Sequence, residues 1–480
     1  MQSVPVPAPA QSIGVKRIFD IALQIFAGAI VVGLIVSSFS NVSKAWDVWS
    51  YHLPFAARIA GIVGPDTYVF GSDNQHRYEG FPLLAEALQG IVWRITGKPE
   101  TASFVSLAGL FALPWFLRRA YRVPAHLSLL ALLAVPLVQI HATAAYIDLP
   151  ANACLALLFL GVHRALVKRE APPVSFLVVS AGLAAATANM KFQLVPLVVL
   201  ASVVLLVRVV QTRASAKDPK KLLLVFVLAF PIVFATPLKN CVKYGNPVWP
   251  IELSLLGRTL PHAEEAYASS PPHLENATRF ERFTRSVLET DNRPIASHRR
   301  WSIDQWTPHD EPGYRMGGFF GRYVVVNLAA LALAVWRRRS REAYAAGGMF
   351  AGLTVAVALM PQSHELRYYM GWMLVLVALN LVLWAREARA ATGLIAAGAL
   401  GVVIWATSGW YLYPAGDSFR ALVEQKVDLR VIEEAQPGEH LCIAREPWTF
   451  LYAASFHPGK SYVVHEAARE EDCASTRKIP

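Results

Sequence analysis

An acid, bases and several aromatic rings crowd the segment that follows the first long apolar run of the sequence. The segment KAWDVWSYHLPFAARIAG carries Asp47, Tyr51, His52 and Arg58. A carboxylate in this setting can take a proton from a hydroxyl or bind a metal ion. Equally, Asp47 can cap a helix while the rings form an ordinary interfacial belt. Pro54 fits the first turn of a helix, so we expect a helix to begin near Leu53.

A second acid and a lone lysine occur in loops between later apolar runs. In HATAAYIDLP, Asp148 stands directly before Leu149-Pro150, a pattern that is also typical of a helix N-terminus. In ANMKFQLVP, Lys191 lies between two apolar runs, where an anionic headgroup or a phosphate would be a suitable partner. The structural alternative is that Lys191 snorkels to the interface.

Three further loops combine charges with aromatic rings. The first two also fit solvated turns, and their candidate ligands are Arg77 and Glu79 in DNQHRYEGFP, and Lys239, Asn240 and Trp249 in LKNCVKYGNPVWP. The third, PQSHELRYYMGW, carries His364, Glu365, Arg367 and Tyr368. Ionisable residues this close to an apolar run are costly and usually paired. Arg367 can hold a phosphate through two parallel hydrogen bonds, or pair structurally with Glu365.

Apolar runs of membrane length must position these loops. Hydrophobic residues make up 54% of the 480 residues and charged residues 16%, against roughly 25% charged residues in soluble domains. A spanning helix needs about 20 apolar residues, which predicts an all-α polytopic membrane protein with about eleven transmembrane helices. The predicted spans are 21–39, 101–117, 124–141, 149–166, 174–189, 193–210, 222–238, 319–336, 343–360, 369–385 and 391–410.

Basic clusters predict the orientation of the chain. RRAYR, VKRE, RASAKDPKK and RRRSR all fall on the cytoplasmic side if the N-terminus is cytoplasmic, as the positive-inside rule requires. Counting 81–96 as a span would invert this orientation, so we predict an interfacial amphipathic helix there. Membrane topology thus explains the net charge of +11. The sequence contains no zinc-finger, P-loop or Rossmann spacing, and we expect no nucleic-acid partner.

The predicted organisation has three parts. They are a disordered cytoplasmic N-terminus (1–14), a transmembrane domain (15–410) with long external loops (40–100 and 239–318), and a small periplasmic α/β domain (411–480). In the last part, Cys442 and Cys473 could form a disulfide in an oxidising compartment. Sequence alone leaves that pairing open.

The order of these motifs resembles the GT-C superfamily of integral membrane glycosyltransferases. The strings WDVWSYHLP, YIDLP, NCVKYGNPVWP and ELRYY resemble bacterial members of its dolichyl-phosphate-mannose-protein mannosyltransferase-like and lipid A aminoarabinose transferase-like group. The resemblance covers residues 15–385. It implies transfer of a sugar from a polyprenyl-phosphate-linked donor to an envelope glycan, lipid or protein. The active site would face the periplasm at the bacterial inner membrane, among membrane lipids.

The resemblance also implies roles for individual residues. Catalytic roles map to Asp47 and Asp148, which would hold a divalent cation such as Mg²⁺ or Mn²⁺ if the enzyme is metal-dependent. Donor-phosphate binding maps to Lys191, Arg367, Arg58 and Lys239. Substrate binding maps to Tyr51, His52, Arg77, Glu79, Asn240, Trp249, His364, Glu365 and Tyr368. The sequence departs from many relatives at Val48, where they carry a second acid.

Two other functions remain open from the sequence. The first is a transporter or flippase of a lipid-linked sugar, and the second is a structural subunit of an envelope-assembly complex. A transporter places ionisable residues near the middle of the bilayer on broken helices. This sequence places nearly all of them at the predicted outer edge, which favours the glycosyltransferase.

Overall fold

The computed structural model describes a helical membrane protein. The described residues are 11–213, 218–267, 270, 274–290, 301, 318–409, 412, 418–444, 447–467 and 477–479. The helices are α1 (Gln11–Ser40), α2 (Leu53–Ile59), α3 (Ser72–Gly80), α4 (Leu84–Thr96), α5 (Phe104–Tyr121), α6 (Ala125–Leu133), α7 (Pro136–Ala142), α8 (Asp148–Val167), α9 (Val174–Ala188), α10 (Val195–Thr212), α11 (Pro219–Val233), α12 (Ala235–Tyr244), α13 (Arg279–Leu288), α14 (Gly321–Arg338), α15 (Arg341–Ala358), α16 (Met370–Trp384), α17 (Arg389–Thr407), α18 (Phe419–Lys426) and α19 (Leu429–Glu434). The strands are β1 (Tyr68–Val69), β2 (Ser254–Leu255), β3 (Arg258–Thr259), β4 (His440–Ala444), β5 (Val463–Ala467) and β6 (Arg477–Ile479).

Helices α8 and α16 form the centre of the apolar bundle. Helix α8 packs against α5, α9, α10, α15 and α16. Both central helices are buried on nearly every side, as expected of helices that are apolar all round. Gly109 lets α5 approach α8 closely, since a Cβ atom at this position would lie 2.9 Å from the Cα of Pro150. This contact fixes the first turn of α8, where Asp148 lies.

Each predicted span overlaps one helix or two consecutive helices, but fewer of these helices have the length and composition of a membrane span. Among the described residues five qualify, or up to seven if the bent pairs α6–α7 (101°) and α11–α12 (56°) each count as one span. Helices α9 and α16 are apolar but have 15 residues each, which corresponds to about 22 Å against a hydrocarbon core of about 30 Å. The structure therefore describes a multi-pass helical protein and leaves the predicted number of spans unconfirmed.

The N-terminal helix begins earlier than the sequence indicates. Helix α1 starts at Gln11, inside the segment 1–14 that we expected to be disordered, and residues 1–10 lie outside the described part of the chain. The long loop 239–318 is partly described: α12 extends into it, and it also contains the β2–β3 hairpin and α13.

Helix α4 matches the amphipathic helix predicted for 81–96, with its apolar face outward. Its buried residues include Glu86 and Gln89. Its exposed residues are the apolar Leu84, Leu88, Ile91 and Ile95, with Arg94 and Thr96 exposed at its C-terminal end. An outward apolar face with polar side chains turned inward suits a helix lying in a bilayer interface.

The C-terminal residues pack on the loop 40–100. Strands β1, β5, β4 and β6 form one parallel sheet in that order, so the strand from the first loop is an edge of the tail's sheet. Trp49 and Tyr68 of the loop share a hydrophobic core with Phe450 and Tyr462 of the tail. Cys442 is disulfide-bonded, whereas Cys473 lies outside the described residues.

Candidate active site

A π-helical turn presents Asp47 above the bundle. Residues 46–59 are helical throughout, and Val48–His52 form the π-helical part, in which the Leu53 N–H donates to the Val48 carbonyl. Pro54 follows directly; it lacks an N–H and clashes with the preceding turn, which favours the wider helix. Helical structure therefore begins at Trp46, earlier than the expected start near Leu53, which is where the π-helical turn changes to the α-helix α2.

The carboxylate of Asp47 forms an ion pair with Arg367. The Arg367 Nη1 lies 2.9 Å from Asp47 Oδ2, and the Asp47 side chain is 22% exposed. Burial raises the pKa of Asp47, but the charges of Arg367 and His52 outweigh burial and hold this pKa below its ordinary value. Burial and the neighbouring Asp47 charge raise the pKa of Tyr51, so its hydroxyl keeps its proton and hydrogen-bonds the carboxylate.

A second buried ion pair joins Asp148 to Lys191. The Lys191 Nζ lies 2.5 Å from Asp148 Oδ1, and the two side chains are 7% and 2% exposed. The Asp148 carboxylate thus binds Lys191. Asp148 does not cap α8, because Ile147 occupies the N-cap position of this helix. Burial lowers the pKa of Lys191; the charge of Arg367 adds to this, and Asp148 opposes it.

The two ion pairs meet at the ring of Tyr368. The Lys191 Nζ lies 4.2 Å and the Arg367 Cζ 5.0 Å from the centroid of this ring. Arg367 also lies 5.5 Å from the ring of Tyr146. Aromatic faces stabilise cations, and here they hold two cations close together in a desolvated place. Such a pair of cations suits a group with more than one negative charge.

Asn152 of α8 anchors the loop that carries Arg367. Its Nδ2 donates to the Arg367 carbonyl at 3.2 Å, and its Oδ1 accepts the Gly371 N–H at 2.8 Å. Behind the guanidinium lies Glu365, whose Oε2 is 3.7 Å from Arg367 Nε. His364 in turn lies 3.8 Å from Glu365 Oε1. Both side chains are therefore buried behind Arg367. Glu365 contacts the Arg367 guanidinium, and His364 contacts Glu365.

Arg77 lies at the margin of this site. It forms two hydrogen bonds, of 2.7 and 2.6 Å, with the carboxylate of Glu264 from the 239–318 loop. Its Cζ lies 5.7 Å from the ring of Tyr51. The structure therefore brings Arg77 next to the site but commits its guanidinium to Glu264.

Four other predicted residues form a cluster that joins α3 to α12. Glu79 binds Lys243 at 3.0 Å and accepts the Tyr244 hydroxyl, and the hydrogen bonds from Tyr244, Gln75 and Lys243 lower its pKa to about 2. The other contacts of the cluster run from Lys239 to the Glu79 carbonyl (2.6 Å), from Asn240 to the Gly80 carbonyl (2.8 Å), and between the stacked rings of Trp249 and Tyr244 (4.6 Å). These contacts serve tertiary packing between the two loops.

Arg58 lies apart from the two ion pairs. Its guanidinium donates to the Tyr68 carbonyl and lies 4.2 Å from the centroid of Phe70. Burial lowers the pKa of Arg58. The structure therefore places this residue against β1, away from the cations at Tyr368.

Sequence reasoning missed Tyr146 and Glu86. Tyr146 lies inside the YIDLP string, two residues before Asp148, and its ring faces Arg367. Glu86 lies on α4, where its Oε1 is 2.8 Å from His52 Nδ1 and both side chains are almost fully buried. The available signal was a carboxylate on a helix whose other face is apolar, because an acid buried there needs a partner.

The acids of this site do not fit a divalent cation. Within the described part of the chain, no three or more His, Cys, Asp or Glu side chains are grouped to hold a metal ion. Asp47 and Asp148 each bind a side-chain cation instead. Mg²⁺ prefers several oxygen ligands in octahedral geometry, which these separate pairs do not offer.

Comparison with solved structures identifies the fold. No protein-family model and no curated protein matches the sequence. The structure of ArnT from Cupriavidus metallidurans in the apo state matches with a TM-score of 0.51 and 13% identity, over 95% of this chain and 90% of that chain. The same protein bound to undecaprenyl phosphate matches with a TM-score of 0.50 and 12% identity, over 92% and 89%. The chain has the GT-C fold.

A more distant GT-C protein also matches. The oligosaccharyltransferase AglB from Archaeoglobus fulgidus, in complex with an inhibitory peptide and a dolichol-phosphate, has a TM-score of 0.45 and 15% identity, over 94% of this chain and 65% of that chain. The GT-C fold predicted from the sequence motifs is confirmed by the ArnT structures. At these identities the likeness concerns the fold, so the activity has to be argued from the side chains of the site.

Proposed function

We propose that the protein is a glycosyltransferase that uses a polyprenyl-phosphate-linked sugar. The observation that carries this proposal is the meeting of Lys191 and Arg367 at the ring of Tyr368, each paired with a carboxylate. Two desolvated cations can hold the phosphate of the donor and stabilise the charge that develops on it as it leaves. The ArnT structure that contains undecaprenyl phosphate supports this class of ligand for the fold.

The reaction is an inverting displacement at the anomeric carbon. The acceptor oxygen forms the new bond to that carbon while the bond from carbon to phosphate oxygen breaks and its electrons go to the phosphate. Asp47 draws the proton from the acceptor hydroxyl. The acceptor is an envelope glycan, a lipid or a protein.

Donor binding would itself make Asp47 a better base. The pKa of Asp47 is held low mainly by Arg367, against the effect of burial. When the phosphate takes over the guanidinium, Asp47 loses part of this stabilisation and its affinity for a proton rises. The base would thus gain strength only when the donor is present.

The site faces the periplasm in this proposal. About eleven transmembrane segments place the basic clusters on the cytoplasmic side and the candidate site on the other side. The disulfide at Cys442 suits an oxidising compartment. The outward apolar face of α4 would lie in the outer leaflet's interface, beside the lipid-linked donor.

The test uses the purified protein with synthetic undecaprenyl phosphate glycosides of glucose, galactose, mannose and arabinose, and an envelope extract as acceptor. Release of undecaprenyl phosphate is measured. We expect Asp47→Asn to lower turnover with the active donor by about 10²- to 10⁴-fold. The matched control is Asp20→Asn, which removes the same charge from another ion pair with an arginine, Arg389. Wild-type turnover in Asp47→Asn would refute the catalytic assignment, and absence of transfer by the wild type from every donor would refute the function.

A further inference from the structure

The buried pair of His52 and Glu86 has no role in the reaction described so far, although His52 ends the π-helical turn that follows Asp47. Glu86 Oε1 lies 2.8 Å from His52 Nδ1. The two side chains are 2% and 3% exposed, respectively. A buried carboxylate is strongly destabilised unless an opposite charge or hydrogen bonds compensate it. A site that retains such a group against a histidine has the arrangement of a base and its orienting acid.

The π-helical turn places His52 on the same face as Asp47. In a π-helix the hydrogen bonds join residues five apart, whereas on an α-helix the neighbours are three or four apart. Asp47 immediately precedes the π-helical residues Val48–His52, so the wider turn brings residues 47 and 52 together. A positive charge on His52 would act on the Asp47 carboxylate, in agreement with this placement. Turns of this kind are rare and frequently occur at functional sites.

The surroundings of His52 leave one ring nitrogen for the reaction. Nδ1 is taken by Glu86, and among the described residues no side chain or carbonyl hydrogen-bonds Nε2. The ring packs against Tyr51 and Tyr146, with centroid distances of 4.4 and 5.4 Å. The titratable groups facing His52 are therefore Asp47 and Tyr51 from its own turn, Glu86 from α4, and Tyr146 from the segment before α8.

One oxygen of the Glu86 carboxylate is available to stabilise additional positive charge on His52. Its Oε2 is buried and has no hydrogen-bond partner among the described residues. A carboxylate with one bonded and one unbonded oxygen gains when its partner imidazole becomes an imidazolium. Asp47, by contrast, is matched with Arg367 in its resting state, so a proton left on Asp47 would oppose re-formation of that ion pair.

We propose that His52 receives the proton that Asp47 draws from the acceptor hydroxyl, and that Glu86 is the positioning residue that holds the resulting imidazolium. This inference rests on the proposed glycosyl transfer. The proton moves from the acceptor oxygen to the Asp47 carboxylate, then through an intervening water molecule to His52 Nε2, and finally to solvent. Asp47 is thereby returned to its ionised form, ready to pair again with Arg367 once the undecaprenyl phosphate has left.

The experiment is a pH profile of turnover with the undecaprenyl phosphate glycoside that the wild type uses. His52 can accept a proton only in its neutral form, so turnover falls on the acidic side. Glu86→Gln keeps the shape and the hydrogen bond to Nδ1–H but removes the charge that favours the imidazolium. We expect about a tenfold or larger loss of kcat, an unchanged KM for the donor, and an acidic limb moved to lower pH. His52→Gln should lower kcat by about 10²-fold, and in the His52→Gln background Glu86→Gln should no longer move the acidic limb.

A matched control separates the charge from general effects of the substitution. Glu100 is another buried carboxylate, which accepts the Phe419 N–H at 2.9 Å. Glu100→Gln should keep both the wild-type kcat and the wild-type acidic limb. The inference is overturned if Glu86→Gln keeps the wild-type kcat, or loses activity with an unmoved acidic limb. These results differ from failure of the proposed function, in which the wild type itself transfers no sugar.

Discussion

Replacing Lys191 by methionine tests the central ion pair. The substitution removes the ammonium group that lies 2.5 Å from the Asp148 carboxylate. This carboxylate, whose side chain is 2% exposed, then has lost its opposite charge. Breaking a buried pair by removing one partner costs about 3–5 kcal/mol of folding free energy. Because burial is nearly complete on both sides, we expect Lys191→Met to fall in this range.

The double variant Lys191→Met/Asp148→Asn separates stability from function. It removes both charges, so it should recover most of the lost stability, since uncharged replacements of a buried pair are often neutral. It should not recover donor affinity, because the cation for the phosphate is still missing. The stability of wild type, single and double variants is measured by thermal unfolding in detergent, and affinity by titration with undecaprenyl phosphate.

Two results would contradict this reasoning. If Lys191→Met unfolds at the wild-type temperature, the pair does not stabilise the bundle as its burial indicates. If the double variant binds undecaprenyl phosphate as tightly as the wild type, Lys191 does not hold the phosphate. The single variant alone could not separate these cases, because loss of folding would also abolish binding.

Two further predictions concern the position and the charge of the acids. Gly109→Ala puts a Cβ atom 2.9 Å from the Cα of Pro150 and must shift the first turn of α8. Turnover should therefore fall by up to about 10²-fold. The control Gly182→Ala adds a Cβ atom with no other atom within 4 Å and should keep wild-type turnover. The pKa of Asp47 lies below its ordinary 3.8, so the stability from its pair with Arg367 is complete above that value and lost as the pH falls below it. Unfolding temperatures of the wild type and Asp47→Asn should therefore converge in acid, and a constant difference would contradict the ion pair.

Local hydropathy was enough to predict most of the helical framework. Each predicted span overlaps one or two helices, because a long apolar run needs no distant partner to be recognised. The amphipathic pattern of 81–96 likewise predicted α4, and Pro54 predicted the start of α2. The bends were not visible in this way: α6 and α7 meet at 101°, so one predicted span is two helices with different directions.

Residue type and location point to the four residues of the two ion pairs but not to their pairings. Asp47, Asp148, Lys191 and Arg367 were all singled out from residue type and location. Glu79, Lys239, Asn240 and Trp249 looked equally suitable, yet they are engaged in contacts between α3 and α12. Residue type cannot separate these two groups, because both contain charges and rings beside an apolar run.

The sequence by itself determined where the long apolar helices lie, which loops carry charge, and the resemblance to the GT-C fold. Only the tertiary structure decided which acid meets which cation. Asp47 pairs with Arg367 across 320 residues of sequence, and Asp148 with Lys191 across 43. The physical reason is that an ion pair depends on distance and burial in space, and these are set by the packing of α8 and α16 and by the π-helical turn. The contact between His52 and Glu86 has the same origin, since it exists only because α4 turns its polar face inward.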